Sequence, residues 1–275
     1  MEPFILGPEE AFFIQEWMEN NPGLVAGFST KNGGVSGEEF STLNLGFHVG
    51  DSREAVCQNR MILSEKIAFP LKSWVGAEQT HEVNIKKATK SDRGKGAADY
   101  GTSYTATDGF FADEKGILLT LCFADCVPLF FLSPETGHVG LAHAGWKGTV
   151  HGIGKRMAAK FAANGVSPGR ILAVIGPSIC EKCYIVDNKV ISLVQNILEG
   201  VEKKPYNQIK ENQYHLDLRE LNKQLLLNAG VREENIKVTG LCTSCHNEHF
   251  YSHRRDRGAA GRMIAFIGWK EDYLP

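Results

Sequence analysis

The most apolar stretch of the chain, Ile117 to Leu132, is broken at its centre by Ala124-Asp-Cys-Val-Pro128. Two runs this apolar, with no polar alternation, need burial on both faces, so they read as buried strands, Ile117–Phe123 and Leu129–Leu132. Asp125 and Pro128 argue against one continuous element. The stretch is also shorter than the roughly 20 residues that span a bilayer. A sheet-based core is thereby required, and an aspartate and a thiol are placed where one of its strands ends.

Other segments arrange themselves around that core. Val25–Phe28, Ser73–Ala77, His138–Ala142, Ile171–Ile175, Val238–Leu241 and Met263–Ile267 read as further strands. Ser52–Lys66 reads as a helix with Ser52 as its N-cap. Thr149–Asn164, stopped by Gly165, reads as a second helix, and Val186–Glu199 and Leu218–Ala229 as two more. Lys31 to Gly37 is a glycine-rich loop. Lys86 to Thr107 is polar and glycine-rich, an expected exposed excursion. Strands outnumber crossover helices, which favours an α+β fold with a mixed sheet over a doubly wound one. No repeat, low-complexity tract or linker divides the chain, so residues 1–275 are expected to form a single domain.

Charge and cysteine content narrow the function classes. A formal net charge of −2 gives no general attraction to nucleic acid or to an anionic membrane. Met1 to Asn20 lacks the basic start and apolar run of a signal peptide. Seven cysteines is an odd number without small-domain spacing. Reduced thiols in a cytoplasmic protein, available to metal, are the expectation.

His81, Cys126 and His143 each stand where an apolar segment ends. Two imidazoles and a thiolate suit zinc, and three protein ligands leave a fourth tetrahedral position open. A zinc ion held so lowers the pKa of bound water toward about 7. Spacing does not select these three, which are far apart in sequence. Cys126 reads equally as a small buried hydrophobe, His81 as a surface residue and His143 as the end of a strand.

A larger pattern is carried by Phe28-Ser-Thr-Lys-Asn-Gly-Gly-Val-Ser36, Leu43-Asn-Leu-Gly46 with His48-Val-Gly-Asp51, and Gln79-Thr-His81. Ala124-Asp-Cys-Val-Pro128, His143-Ala-Gly-Trp-Lys-Gly148, Gly176-Pro177 and Tyr251-Ser-His-Arg-Arg-Asp256 continue it in order. This ordered set resembles the laccase-domain family of the YlmD/YfiH type over nearly the whole chain. The resemblance implies a mixed β-sandwich flanked by helices and zinc ligation by His81, Cys126 and His143. It also implies purine nucleoside phosphorylase activity on adenosine, inosine, guanosine and methylthioadenosine, with accompanying adenosine deaminase activity. Some relatives act on cell-wall precursors, so a peptidoglycan-editing hydrolase is a second possibility. The sequence departs from the family where Lys31 replaces a frequent Arg and where Ala260-Gly-Arg262 replaces Thr-Gly-Arg.

The remaining polar residues fit roles around such a centre. Asp125 could orient a ligand or serve as a turn aspartate. Asn44, His48 and Gln79 offer hydrogen bonds to a ribose or a base. Lys147, between Gly145 and Gly148 near a helix start, and Arg60, Arg254 and Arg255 are candidates to hold phosphate. Cys126 with His143 or His81 would equally serve a thiol hydrolase. A copper oxidase is disfavoured because the chain has no His-x-His pair. Cys180-Glu-Lys-Cys183 and Cys242-Thr-Ser-Cys245 have structural-zinc spacing within each pair, but the 58 residues between them exceed the roughly 15–20 of a zinc ribbon. The sequence leaves the oligomeric state open.

Overall fold

The central apolar run splits between two sheets. In the computed structural model, which describes residues 1–7, 10–198 and 204–271, its first strand lies inside one six-stranded sheet and its second inside another. Along the chain the strands are β1 (Phe4–Leu6), β2 (Ala11–Ile14), β3 (Leu24–Ser29), β4 (Trp74–Val75), β5 (Ile85–Lys87), β6 (Gly109–Ala112), β7 (Ile117–Phe123), β8 (Val127–Ser133) and β9 (His138–Ala144). There follow β10 (Leu172–Ile175), β11 (Ile185–Val186), β12 (Tyr206–Lys210), β13 (Gln213–Leu216), β14 (Ile236–Val238) and β15 (Met263–Trp269). The first sheet runs β1-β2-β3-β15-β7-β4 and the second β14-β10-β8-β9-β6-β5, while β11-β13-β12 form a small third sheet. Antiparallel pairs dominate, but β4 with β7, β5 with β6 and β10 with β14 are parallel. The architecture is therefore the expected mixed α+β.

Period-two alternation sorts each strand's side chains between layers. Leu119, Leu121 and Phe123 of β7 meet Phe130 and Leu132 of β8 and Leu141 of β9 in one core between the sheets. The opposite face of β8, through Val127, Leu129 and Phe131, packs under helices. Those helices are α3 (Trp146–Val150), α4 (Ile153–Ala163), α5 (Asn188–Ile197) and α6 (Leu218–Asn228), while α1 (Gln15–Asn20) and α2 (Arg53–Lys66) lie on the first sheet's side of the chain order. Leu63 of α2 packs with Leu118 and Phe266 on the first sheet's outer face. Burial on both faces explains why the central strands are apolar throughout.

Several local expectations hold and others shift. Ser52 caps α2, its Oγ accepting the Ala55 N–H at 3.1 Å. The single helix expected over Thr149–Asn164 is two, since Gly152 at φ +79° interrupts it and restarts it as α4. Of the expected Val186–Glu199 helix, Asn188–Ile197 is helical and capped by Asp187, while Glu199 lies outside the described residues. The strand expected at Val238–Leu241 stops at Val238. There side chains take the backbone: Arg219 Nη1 donates to Thr239 O, and Glu2 accepts the Gly240 N–H. The stretch Lys86–Thr107 folds back instead of standing free. It contributes to β5, and Ala88, Asp92 and Ala97 are buried. No helix among the described residues is long and apolar enough to cross a membrane.

Candidate functional site

The passage from one sheet to the other is the link Ala124-Asp-Cys126, between β7 and β8. Asp125 adopts φ +92°, and this left-handed residue reverses the chain just before Cys126. His143 sits near the end of β9, the strand paired with β8, and is buried. His81 follows β4 on an exposed loop and also has positive φ, +62°. Three remote segments thus converge, with the ligand atoms of His81, Cys126 and His143 all within 4.8 Å of one another.

Asp108, which precedes β6 and is fully buried, holds the convergence together. One carboxylate oxygen faces His143 Nδ1 at 2.8 Å and accepts the His81 N–H at 3.0 Å. The other accepts the backbone N–H groups of Thr80 and Glu82 at 3.1 and 2.9 Å. The Asp108 carbonyl accepts the His143 N–H at 2.7 Å. Burial pushes its carboxyl upward, but the hydrogen bond and charge of His143 outweigh that and hold it below the usual range. With Nδ1 engaged, His143 presents Nε2 toward Cys126, the arrangement by which a carboxylate orients a metal-ligating histidine.

Cys126 and His143 polarise each other. Burial raises the thiol, yet the charge of His143 and hydrogen bonds from both histidines bring it down to about 6. Burial lowers His143, yet Cys126 and Asp108 bring it up to about 9. A thiolate is therefore available at neutral pH, the form that binds metal or acts as a nucleophile. Gly145 borders the group so closely that a Cβ there would lie 3.0 Å from Cys126 Sγ and 3.2 Å from His81 Cδ2.

The three side chains open on a cavity of about 360 Å³, within the size range of small-molecule sites. Trp146, Tyr184, Ile179 and Leu218 give it apolar walls, and Arg254 and Arg262 bring positive charge. The Arg254 guanidinium lies 5.0 Å from the Tyr184 ring centre. His48 lines the cavity, its pKa pushed down to about 4 by burial and by Arg262 and Arg60, so it is neutral at pH 7. Gln79 also lines it, but its amide clamps the end of β7, accepting the Cys122 N–H at 2.7 Å and donating to Cys122 O at 2.9 Å.

Other sequence candidates lie elsewhere. Arg60 is buried, with its donors on Leu45 O, Gly96 O and Ala97 O and its guanidinium over Phe47. It braces loops and has no hand for phosphate. Arg255 likewise spends its fork on Asp256 and on the carbonyls of Thr243, Ser244 and Phe250. Asn44 is wholly buried and bonded to Gly46, Asp51 and the Arg262 N–H. Lys147 is exposed and off the cavity. Asp125 lines the cavity but accepts from Thr243 Oγ1 and the Arg254 N–H, so it anchors the wall. Asp108, Trp146, Tyr184, Arg262 and His253 were missed as site residues. Trp146, His253 and Arg262 stand inside quoted motifs without a role of their own there, and Asp108 and Tyr184 lie outside them.

A family profile described as multi-copper polyphenol oxidoreductase laccase matches residues 25–270. The chain belongs to this laccase-domain family. Purine nucleoside phosphorylase YlmD of Bacillus subtilis is 48% identical over 273 residues, covering 98% of each chain. The phosphorylase of the same name from Geobacillus stearothermophilus is 48% identical over 252 residues, covering 91% of this chain and 92% of the relative. The crystal structure of the Geobacillus YlmD superposes with a TM-score of 0.95 at 45% identity, covering 98% of this laccase-domain chain and 100% of the other. That of Bacillus licheniformis YfiH gives 0.94 at 46% identity, with coverages of 98% and 100%.

Proposed function

We propose that this single-domain protein is a purine nucleoside phosphorylase working with a zinc ion on His81, Cys126 and His143. The observation that carries the reading is the convergence of two imidazoles and a low-pKa thiol on a nucleoside-sized cavity that also presents arginines. The names of the relatives point the same way. The donor set fits zinc, since one sulfur and two nitrogens are ligands it accepts, and Asp108 fixes the histidine orientation. Zinc, when bound, supplies Lewis acidity at the cavity floor.

The chain's own residues have separable tasks. Trp146 and Tyr184 offer flat apolar surface to a purine. Arg254 and Arg262 attract phosphate and orient it toward the sugar. A phosphate oxygen forms a bond to C1′ as the C1′–N9 bond breaks. The purine leaves with the electron pair and takes up a proton, giving free base and ribose 1-phosphate. His48, neutral, hydrogen-bonds substrate without adding charge. Adenosine deamination and methylthioadenosine phosphorolysis belong to the same proposal, as substrates of one cavity. A reducing cytoplasm suits the free cysteines.

The Cys126–His143 pair also supports a thiol-hydrolase reading, with Cys126 as nucleophile. Adenosine, inosine, guanosine and methylthioadenosine assayed with and without phosphate, on protein of known zinc content, separate the two. Phosphate-dependent base release that disappears in Cys126→Ala and on chelation is the expected result. Phosphate-independent turnover by zinc-free protein, with an adduct on Cys126 in intact-mass spectra, would overturn the phosphorylase reading.

A further inference from the structure

The two C-x-x-C pairs that sequence spacing sets apart meet in space. Cys180, Cys183, Cys242 and Cys245 place their sulfurs all within 4.8 Å of one another. Cys183 Sγ lies 3.5 Å and Cys180 Sγ 3.9 Å from Cys245 Sγ. A disulfide requires about 2.05 Å between sulfurs. A tetrahedron of sulfurs around zinc at about 2.3 Å has edges of roughly 3.8 Å, and the observed separations bracket that value. All four cysteines are unpaired as disulfides.

The backbone around the cluster is already shaped for thiolates. Cys242 Sγ accepts the N–H of Cys180 at 3.2 Å and of Cys245 at 3.4 Å. Such bonds offset negative charge on sulfur. The two segments are also stitched directly, by the Thr243 N–H to Ser178 O at 3.1 Å and a parallel bridge between Ser178 and Cys242. Among the described residues no carboxylate or imidazole joins the group, and an all-sulfur tetrahedral set selects zinc or iron among the common metals.

We propose that Cys180, Cys183, Cys242 and Cys245 form a second, structural zinc site, independent of the His81, Cys126 and His143 group. Its four positions are closed by protein, so it has no open place for substrate. Its work is to brace the cavity wall. The first segment carries Ile179 and Tyr184 into the cavity, and Ile179 N–H also bonds to Asp125 O at 3.0 Å. The second segment carries Thr243, whose hydroxyl grips the Asp125 carboxylate at 2.7 Å. The cluster therefore ties both sides of the turn that presents Cys126.

Zinc content of the full chain tests this without reference to activity. Wild type should carry about two zinc ions per chain, Cys126→Ser about one, and Cys180→Ser/Cys245→Ser about one. Cobalt loaded into Cys126→Ser should show strong thiolate-to-cobalt charge transfer and tetrahedral d–d bands. That variant keeps only histidines at the first site, so a multi-thiolate spectrum comes from the four cysteines. The spectrum carries the test alone if the double variant fails to fold. Metal-free Cys126→Ser that gives no thiolate–cobalt absorption would overturn the proposal. So would bound iron, or disulfides at these cysteines in the protein as purified.

Discussion

Asp108 shows how much of the His81, Cys126 and His143 cluster depends on a residue outside it. Its carboxylate collects the His143 ring and three successive N–H groups around His81. Asp108→Asn removes the charge and turns an amide toward those donors. Zinc retention against a chelator should fall roughly 10–100-fold, as for lost carboxylate partners of ligand histidines. Unchanged retention would show that His143 orients itself. Gly145 acts through space alone. A methyl group at that position presses on Cys126 Sγ and His81, so Gly145→Ala should weaken zinc binding while costing no more than about 1–3 kcal/mol of stability. Titration with a competing chelator and urea unfolding read the two effects separately.

At the scale of elements, the turn after β5 is held by capping as well as by packing. Thr89 begins a short turn in which Asp92 accepts the Thr89 N–H at 2.9 Å and its hydroxyl at 2.8 Å, and pairs with Lys95 at 2.8 Å. Burial raises the Asp92 carboxyl, but Lys95 and Thr89 outweigh it and depress its pKa. A depressed folded-state pKa gives stability that is present above the unfolded value of about 3.9 and lost as pH falls through the folded one. Asp92→Asn should therefore be less stable than wild type at pH 7, by about 1–3 kcal/mol. That gap should narrow steadily once the pH drops below about 4. Urea midpoints across the range measure it, and a gap independent of pH would assign the loss to packing.

For the whole molecule, the core and the candidate site share strands, but the core is made almost entirely of other side chains. Both sheets share one buried cluster, made without the candidate ligands His81 and His143. A chain of this length buries roughly three quarters of its surface on folding and needs no metal to do so. Removing metal should therefore leave far-UV circular dichroism intact and a cooperative thermal transition. Tm should drop by several degrees, because ligand that binds only the folded state stabilises it by mass action, about 4 kcal/mol at a thousandfold excess over Kd. Added zinc should restore it. Loss of cooperative unfolding in the metal-free protein would mean that the metal sites hold the fold itself.

The sequence by itself determined the buried strands, the mixed α+β class and the helix begun by Ser52, because these follow from apolar runs and local capping. It also exposed the motifs of the laccase-domain family, and through them the three residues that gather at the cavity. Tertiary structure alone decided what those residues face. Asn44, Arg60 and Arg255 looked like substrate contacts because a polar side chain in a motif shows its chemistry, whereas its partners are backbone groups from distant segments. Asp108 and the aromatic walls stayed hidden for the converse reason, since no local pattern marks a carboxylate or a ring whose partners are remote. The two C-x-x-C pairs were legible as pairs, but only the fold brings Cys183 to Cys245, across a separation of 62 positions. Short-range physics is written in neighbouring residues, while a site assembled from remote segments exists only once the sheets have closed on their shared core.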